Sequence, residues 1–289
     1  MERLVPGIIV ALHVQPRAIY FDNRGKLQFL QRLGQLVREI SSLSAEKLWR
    51  IASNPSKLSA HFARPVSLSP TRSLVKLFPE VGLPDAEDCR LELLRNHRFY
   101  EEVNSRLIEK RGRRTDFSGW YEFLFLAVRF AKPEVMFETG IFDGASSALI
   151  LQAMHDNNKG ILVSFDLPAK EVMPGSTNAM ADGTLPPGCQ PGWLVPDRLR
   201  SRYRQELGDS RHLLPKLFAE YPSIDIFFHD SLHTFEHQYF EYGLGWEHLP
   251  QGGLLLSDDI YWSSAFHKFC RQNSKTYTRV ANVFGAVRK

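Results

Sequence analysis

Three acidic side chains in a short stretch of this sequence are placed to do chemistry: Asp230, Asp258 and Asp259. Each follows a brief apolar run, residues 224–228 before His229-Asp230 and residues 254–256 before the Asp258-Asp259 pair. Carboxylates about 4 Å apart repel by roughly 1 kcal/mol in water and about 4 at a surface-like dielectric. Residues 224–262 contain no Lys or Arg to offset that repulsion. A hard divalent cation would, since Mg²⁺ takes oxygen ligands and keeps positions open for substrate. The alternative is a set of solvated aspartates at strand ends, one of them capping a helix. His233 lies three positions past Asp230 and can accept a proton near neutrality. His229 reads as packing, and His237, one helical turn beyond His233, as a weaker candidate base.

A second group surrounds two glycines. The run Glu138-Thr139-Gly140-Ile141-Phe142-Asp143-Gly144-Ala145-Ser146 follows an apolar strand and enters a helix predicted over residues 148–155. Strand, Gly loop and helix amino end form a cradle for a nucleotide-type ligand. Three residues separate Gly140 from Gly144, so this is not the dinucleotide G-x-G-x-x-G pattern. Glu138 would serve an anionic pyrophosphate poorly and a cationic amino or sulfonium group well. Asp166 ends the next predicted strand about 20 residues later, where a ribose diol is held. The turn from Gly208 to Arg211 is placed to cover an adenine edge, although Ser210 would serve equally as a helix N-cap.

These groups need a scaffold. Residues 224–262 read as strand, acidic tip, helix, turn, strand and acidic tip, one βαβ unit with parallel neighbouring strands. Phe235, Tyr239, Tyr242 and Trp246 recur on the helical period between them. Both strand tips then fall at one carboxyl edge, where open α/β sheets take their ligands. Further strands are expected over 135–138, 161–165 and 202–207, with helices over 119–130, 213–221 and 263–271. Residues 276–280 and 283–287 read as a terminal antiparallel pair. The expected fold is a Rossmann-like, seven-stranded, mostly parallel sheet with a C-terminal antiparallel hairpin, preceded by a mainly helical region.

That region spans residues 1–114, and the sheet domain residues 115–289. In the first, apolar residues recur on the helical period over 27–40, and further helices are expected near 44–51 and over 85–110. Residues 4–14 read as a strand or docked terminus, and the basic run 110–114 as a solvated linker. The irregular stretch 169–196, rich in Pro and Gly, has the length of a functional lid, with Trp193 as a wall of the pocket.

At 289 residues and 43% hydrophobic content the chain has ample material for a core. A net charge of +4 is too diffuse to argue for nucleic acid. Cys89, Cys189 and Cys270 are odd in number and far apart, which points to reduced thiols and a cytoplasmic setting. No apolar run approaches the ~20 residues of a membrane span.

Five runs in order carry a resemblance: VMFETGIFDGASS, LVSFDLP, LGDSRHLLPKL, IDIFFHDSLHTFEH and LPQGGLLLSDDI. Over residues 115–289 the chain resembles class I S-adenosylmethionine-dependent methyltransferases. More narrowly it is similar to the group holding macrolide-sugar and rhamnosyl O-methyltransferases and cephalosporin hydroxylase-like proteins. The resemblance implies that Glu138 and Gly140 line the methionine end of the cofactor, Asp166 takes the ribose, and Ser210 and Arg211 lie by the adenine. Gly144, Ser146 and Asp230 complete the expected cofactor set. It implies Mg²⁺ or another divalent cation on Asp230, Asp258 and Asp259, with His233 as catalytic base. Catechol-type relatives carry Lys where His233 stands, so the implied acceptor is a hydroxyl of a sugar or small secondary metabolite. Metal-independent methyl transfer, a cofactor-binding scaffold and a cephalosporin hydroxylase-like protein are the alternatives, and a NAD dehydrogenase fits least. Nothing readable names the acceptor or separates monomer from homo-oligomer.

Overall fold

The computed structural model describes residues 65, 67–168 and 184–289. The expectations for residues 4–14, 27–40 and 44–51, and for 169–183 of the irregular stretch, lie outside the described residues. The described chain belongs to one compact unit that begins at Asn54.

In chain order the described elements are β1 (Ser67–Leu68), α1 (Pro70–Leu77), α2 (Leu83–Leu94), α3 (His97–Arg111), α4 (Trp120–Ala131), β2 (Val135–Thr139), α5 (Ala145–Asn157) and β3 (Ile161–Asp166). There follow a short 3₁₀ helix (Asp197–Arg202), β4 (Tyr203–Leu207), α6 (Ser210–Glu220), β5 (Ile226–His229), α7 (Phe235–His248), β6 (Leu254–Ser257), α8 (Ala265–Gln272), β7 (Thr278–Val280) and β8 (Phe284–Arg288). The sheet runs β1-β7-β8-β6-β5-β2-β3-β4. Strands β4, β3, β2, β5 and β6 are parallel, and β8 runs antiparallel to both β6 and β7.

This is the expected Rossmann-like arrangement with one strand more. The additional strand is β1, two residues long and parallel to β7, with Ser67 opposite Arg279. A run this short carries no alternation to read. The expected single helix over 85–110 is two. It breaks at Asn96, whose side chain accepts a hydrogen bond from the Phe99 amide at 3.1 Å and so caps α3.

Strand side chains alternate between two cores. Met136, Phe228, Leu254 and Leu256 join one, which also holds Leu74, Leu93 and Val103 of α1 to α3 and the apolar faces of α4 and α5. Phe137, Phe227 and Leu255 join the other, with Leu214 of α6, Tyr242 of α7 and Phe266 of α8. Helices thus cover both faces, as a parallel sheet requires. Among the described residues no helix is long and apolar enough to cross a membrane.

Candidate functional site

Parallel register brings the decisive residues to one edge. Thr139 of β2 pairs with His229 of β5, and His229 pairs with Ser257 of β6. Asp230 and Asp258 are the next residues along, and the Asp258 amide donates to the His229 carbonyl at 2.9 Å. The tips that carry Asp230 and Asp258 therefore lie side by side. Burial first, then the charges of Asp258 and Asp259, raise the Asp230 carboxyl well above its ordinary range. Burial and the Asp259 charge push Asp258 up to about 8. Asp258 Oδ1 is buried and has no hydrogen-bond partner. Asp259 sits in the left-handed region at φ 50°.

These acids fit a cation in donor type, being hard oxygens that raise one another and include an orphaned one. They are not closed around a point: among the described residues no group of three His, Cys, Asp or Glu side chains is arranged to hold a metal ion. Both facts bear on the same acids. The first concerns chemistry, and the second the side-chain positions of this structure.

His233 reaches the same edge. Its Nε2 lies 3.9 Å from Asp230 Oδ1, too far for a hydrogen bond, and is buried without a partner. Burial, followed by the nearby His229, lowers its pKa to about 3, so the ring is neutral across the physiological range with one lone pair uncommitted.

Behind it lies a group the sequence reading passed over. Glu241 of α7 is fully buried, and its carboxylate gathers four donors. Thr139 Oγ1 and Ser231 Oγ donate to Oε2 at 2.6 and 3.0 Å. His229 Nδ1 lies 2.6 Å from Oε2, and His237 Nε2 lies 2.8 Å from Oε1. The donors outweigh burial and hold Glu241 ionised, well below the usual carboxylate range. Both facing ring nitrogens therefore carry their protons. His229 is more than packing: its Nδ1–H is committed to Glu241 and its Nε2 is buried and bare. Ser210 Oγ lies 3.3 Å from His237 Nε2, the same nitrogen that serves Glu241. A nucleophile relay needs the two partners on opposite ring nitrogens, so this is no Ser-His-Glu triad. The i, i+4 spacing of His237 and Glu241, beside the core residue Tyr242, is the signal that would have found the carboxylate.

The Gly loop is built from backbone. Gly140 adopts φ 87°, and a Cβ there would stand 2.0 Å from the Asp230 carbonyl oxygen. Gly144, at φ 89°, lies against Gly192, whose Cα would be 2.7 Å from such a Cβ. Asp166 Oδ2 accepts from the Ile141 and Phe142 amides at 2.9 and 2.6 Å, and Oδ1 from the Leu167 amide at 2.7 Å. Asp166 thus ties its strand tip to the loop, and only Oδ1 keeps a spare lone pair.

Glu138 is placed differently from expectation. It is fully buried, and Ser146, Ser147 and Ser164 each donate a hydroxyl to it at 2.6 Å. Burial raises its pKa to about 7 against those three bonds. Glu138 and Ser146 hold the strand, loop and helix together and turn no free oxygen outward. At the adenine turn Asp209, not Ser210, caps α6, accepting from the Arg211 amide at 2.9 Å. The Arg211 guanidinium is paired with Asp209 at 2.7 Å.

Tyr121 of α4 and Tyr261 flank the acids, and both phenols are held protonated by burial and by the neighbouring aspartate charges. Trp193 is not a free wall: its Nε1 donates to Asp143 Oδ1 at 2.8 Å.

Residues 137–260, less than half of the chain, match the family described as "Methyltransferase domain". That segment is similar to methyltransferase domains. It spans the Gly loop, Asp166, Glu241 and all three acids, in agreement with the resemblance drawn from the sequence. No curated protein sequence matches the chain. Among solved structures, the domain's fold is similar to an O-methyltransferase from Bacillus cereus in complex with SAH, at 14% identity and TM-score 0.45, covering 66% of this chain and 91% of that one. TomG from Streptomyces achromogenes, an O-methyltransferase involved in tomaymycin synthesis and solved with SAM, is 14% identical at TM-score 0.44, over 66% and 88% of the two chains. CalS11, a calicheamicin methyltransferase, is 16% identical at TM-score 0.42, over 76% and 91%. Likenesses this distant say nothing of this domain's substrate or metal.

Proposed function

We propose that the chain is an S-adenosylmethionine-dependent O-methyltransferase, assisted by a divalent cation and acting on a hydroxyl of a sugar or small metabolite. The observation that carries the reading is the pair of buried, unpartnered atoms at the carboxyl edge of the methyltransferase domain, Asp258 Oδ1 and His233 Nε2. Leaving such groups unmet costs about 1–3 kcal/mol each. A site that keeps an acceptor oxygen and a base lone pair bare, next to a cofactor loop, is one built for a reacting partner.

The cofactor lies along the Gly140–Gly144 loop in this reading, with Asp166 at the ribose, Ser210 and Arg211 near the adenine, and Asp230 closing the methionine end. Glu138 and Ser146 support the loop from beneath. His233 takes the acceptor proton. An imidazole with a pKa of about 3 is a weak base, and an aliphatic hydroxyl with a pKa near 15.7 costs roughly 12 kcal/mol to ionise at neutral pH. His233 alone therefore does not suffice, and the hydroxyl must be acidified in place. A divalent cation held by Asp230, Asp258 and Asp259 would supply that acidity and orient the oxygen.

The lack of a three-ligand group among the described residues favours a second reading, methyl transfer without metal. Titration of the protein with S-adenosylmethionine and with NAD separates the cofactor classes. Release of S-adenosylhomocysteine over a panel of sugar and phenol acceptors, with chelator and then with added Mg²⁺, separates the two mechanisms. Full turnover in chelator excludes the cation. Replacing His233 by Ala is expected to slow turnover by about 10²–10⁴, and an unchanged rate at pH 7 removes the base assignment.

A further inference from the structure

We infer that Arg111 is a cofactor-positioning residue, acting from outside the matched segment through Asp143 of the Gly loop. The inference rests on the S-adenosylmethionine reading.

Arg111 is the last residue of α3, and the chain turns away at Gly112, φ 63°. Its place in a basic run predicts a solvated side chain, yet the guanidinium points inward. Nε donates to Asp143 Oδ2 at 2.8 Å and one terminal nitrogen to Asp143 Oδ1 at 2.6 Å. The two side chains are 13% and 5% exposed. This is the bidentate geometry that a guanidinium makes and an ammonium cannot. The same terminal nitrogen donates to the Thr184 carbonyl at 2.9 Å, and the cation stands 5.0 Å above the Phe142 ring.

What it holds is a strained turn. Phe142 has φ 50°, a conformation that costs a bulky residue about 1 kcal/mol or more and persists only where the surroundings impose it. Three contacts impose it. Asp166 accepts from the Phe142 amide, the Gly192 amide donates to the Phe142 carbonyl at 2.9 Å, and Arg111 covers the ring. The next residue, Asp143, carries a buried charge, and Trp193 Nε1 adds one neutral donor to it. Arg113 stands 3.9 Å from Asp143 with 59% of its side chain exposed, and makes no fork. Without Arg111 the Asp143 carboxylate lacks its main counter-charge, and a buried charge so stranded moves toward water. The loop between Gly140 and Gly144 would follow it. Since that loop is the cofactor's bed, the fork of α3 sets its shape.

Calorimetric titration of the full chain with S-adenosylhomocysteine tests this. Arg111→Ala and Asp143→Asn are expected to bind at least ten-fold more weakly than the parent, and Arg111→Lys to fall between. Arg129→Ala serves as the control. Arg129 is 19% exposed and paired with Glu92 away from the loop, so its loss should lower Tm and leave affinity unchanged. If Arg111→Ala does not fold, Arg111→Lys and Asp143→Asn carry the comparison. Parent-like affinity, within two-fold, in the folded loop variants overturns the inference and leaves the cofactor reading standing. A parent protein that does not bind S-adenosylhomocysteine overturns both.

Discussion

His229 Nδ1 sits 2.6 Å from Glu241 Oε2, and neither side chain has any exposure to solvent. An ionised carboxylate in such a place survives because its donors replace water. Removing it as Glu241→Ala strands the His229 N–H and the hydroxyls of Thr139 and Ser231. Breaking a buried charged network from one side costs about 3–5 kcal/mol, or roughly 6–20 °C in Tm for a domain of this size. Differential scanning calorimetry reads it, and a Tm within about 2 °C of the parent would show that the hub is not structural.

Glu138 makes stability depend on pH. An unfolded Glu releases its proton near 4.3, whereas the folded chain holds it to about 7. The raised pKa favours the protonated, folded form. That contribution is present in full below pH 4 and is lost as pH rises through 7, on the order of 3 kcal/mol in total. Glu138→Gln, neutral at every pH, should flatten the fall in denaturation midpoint between pH 5 and 8 and raise the midpoint at pH 8. A parallel pH profile in the variant refutes the buried-carboxyl account.

Gly140→Ala would set a methyl group 2.0 Å from the Asp230 carbonyl oxygen at a φ of 87°. Both backbone strain and clash oppose it, so a loss of about 3 kcal/mol or more is expected. The β5 tip must shift if the variant folds, and S-adenosylhomocysteine affinity should fall with Tm. Parent-like thermal unfolding would mean that the loop and tip are looser than their contact implies.

Asp258 bears on the cation without needing an acceptor. Burial and the charge of Asp259 raise its pKa to about 8. The stability this gives below pH ~4 is therefore lost as pH rises through 8, unless a cation is bound. At pH 8.5 in chelator, Asp258→Asn should melt above the parent. Added Mg²⁺ should raise the Tm of the parent and leave that of the variant unmoved. Equal Mg²⁺ shifts in both would place the ion, if it binds, elsewhere.

Local pattern was enough for much of this molecule. Short apolar runs in β2, β5 and β6, helical spacing of Phe235, Tyr239, Tyr242 and Trp246, and acids directly after the runs specified the βαβ unit and the edge its strand tips share. Those signals are read within a few residues of one another, because strand and helix geometry are themselves local. The glycines at 140 and 144 likewise announced a turn that only such residues allow.

What side chains do on reaching that edge was decided by the tertiary structure. Glu138 faces three serines because α5 and β3 bring hydroxyls to it from 8, 9 and 26 positions away. Arg111 left solvent because α3 ends beside Asp143, 32 positions on. Glu241 became the centre of four hydrogen bonds because α7 lies across the tips of β2 and β5. Hydrogen bonds and ion pairs depend on distances of a few ångströms between residues far apart in the chain, and no local spacing encodes those distances. The strands and their acidic tips belong to the sequence; the partners of those tips belong to the packing.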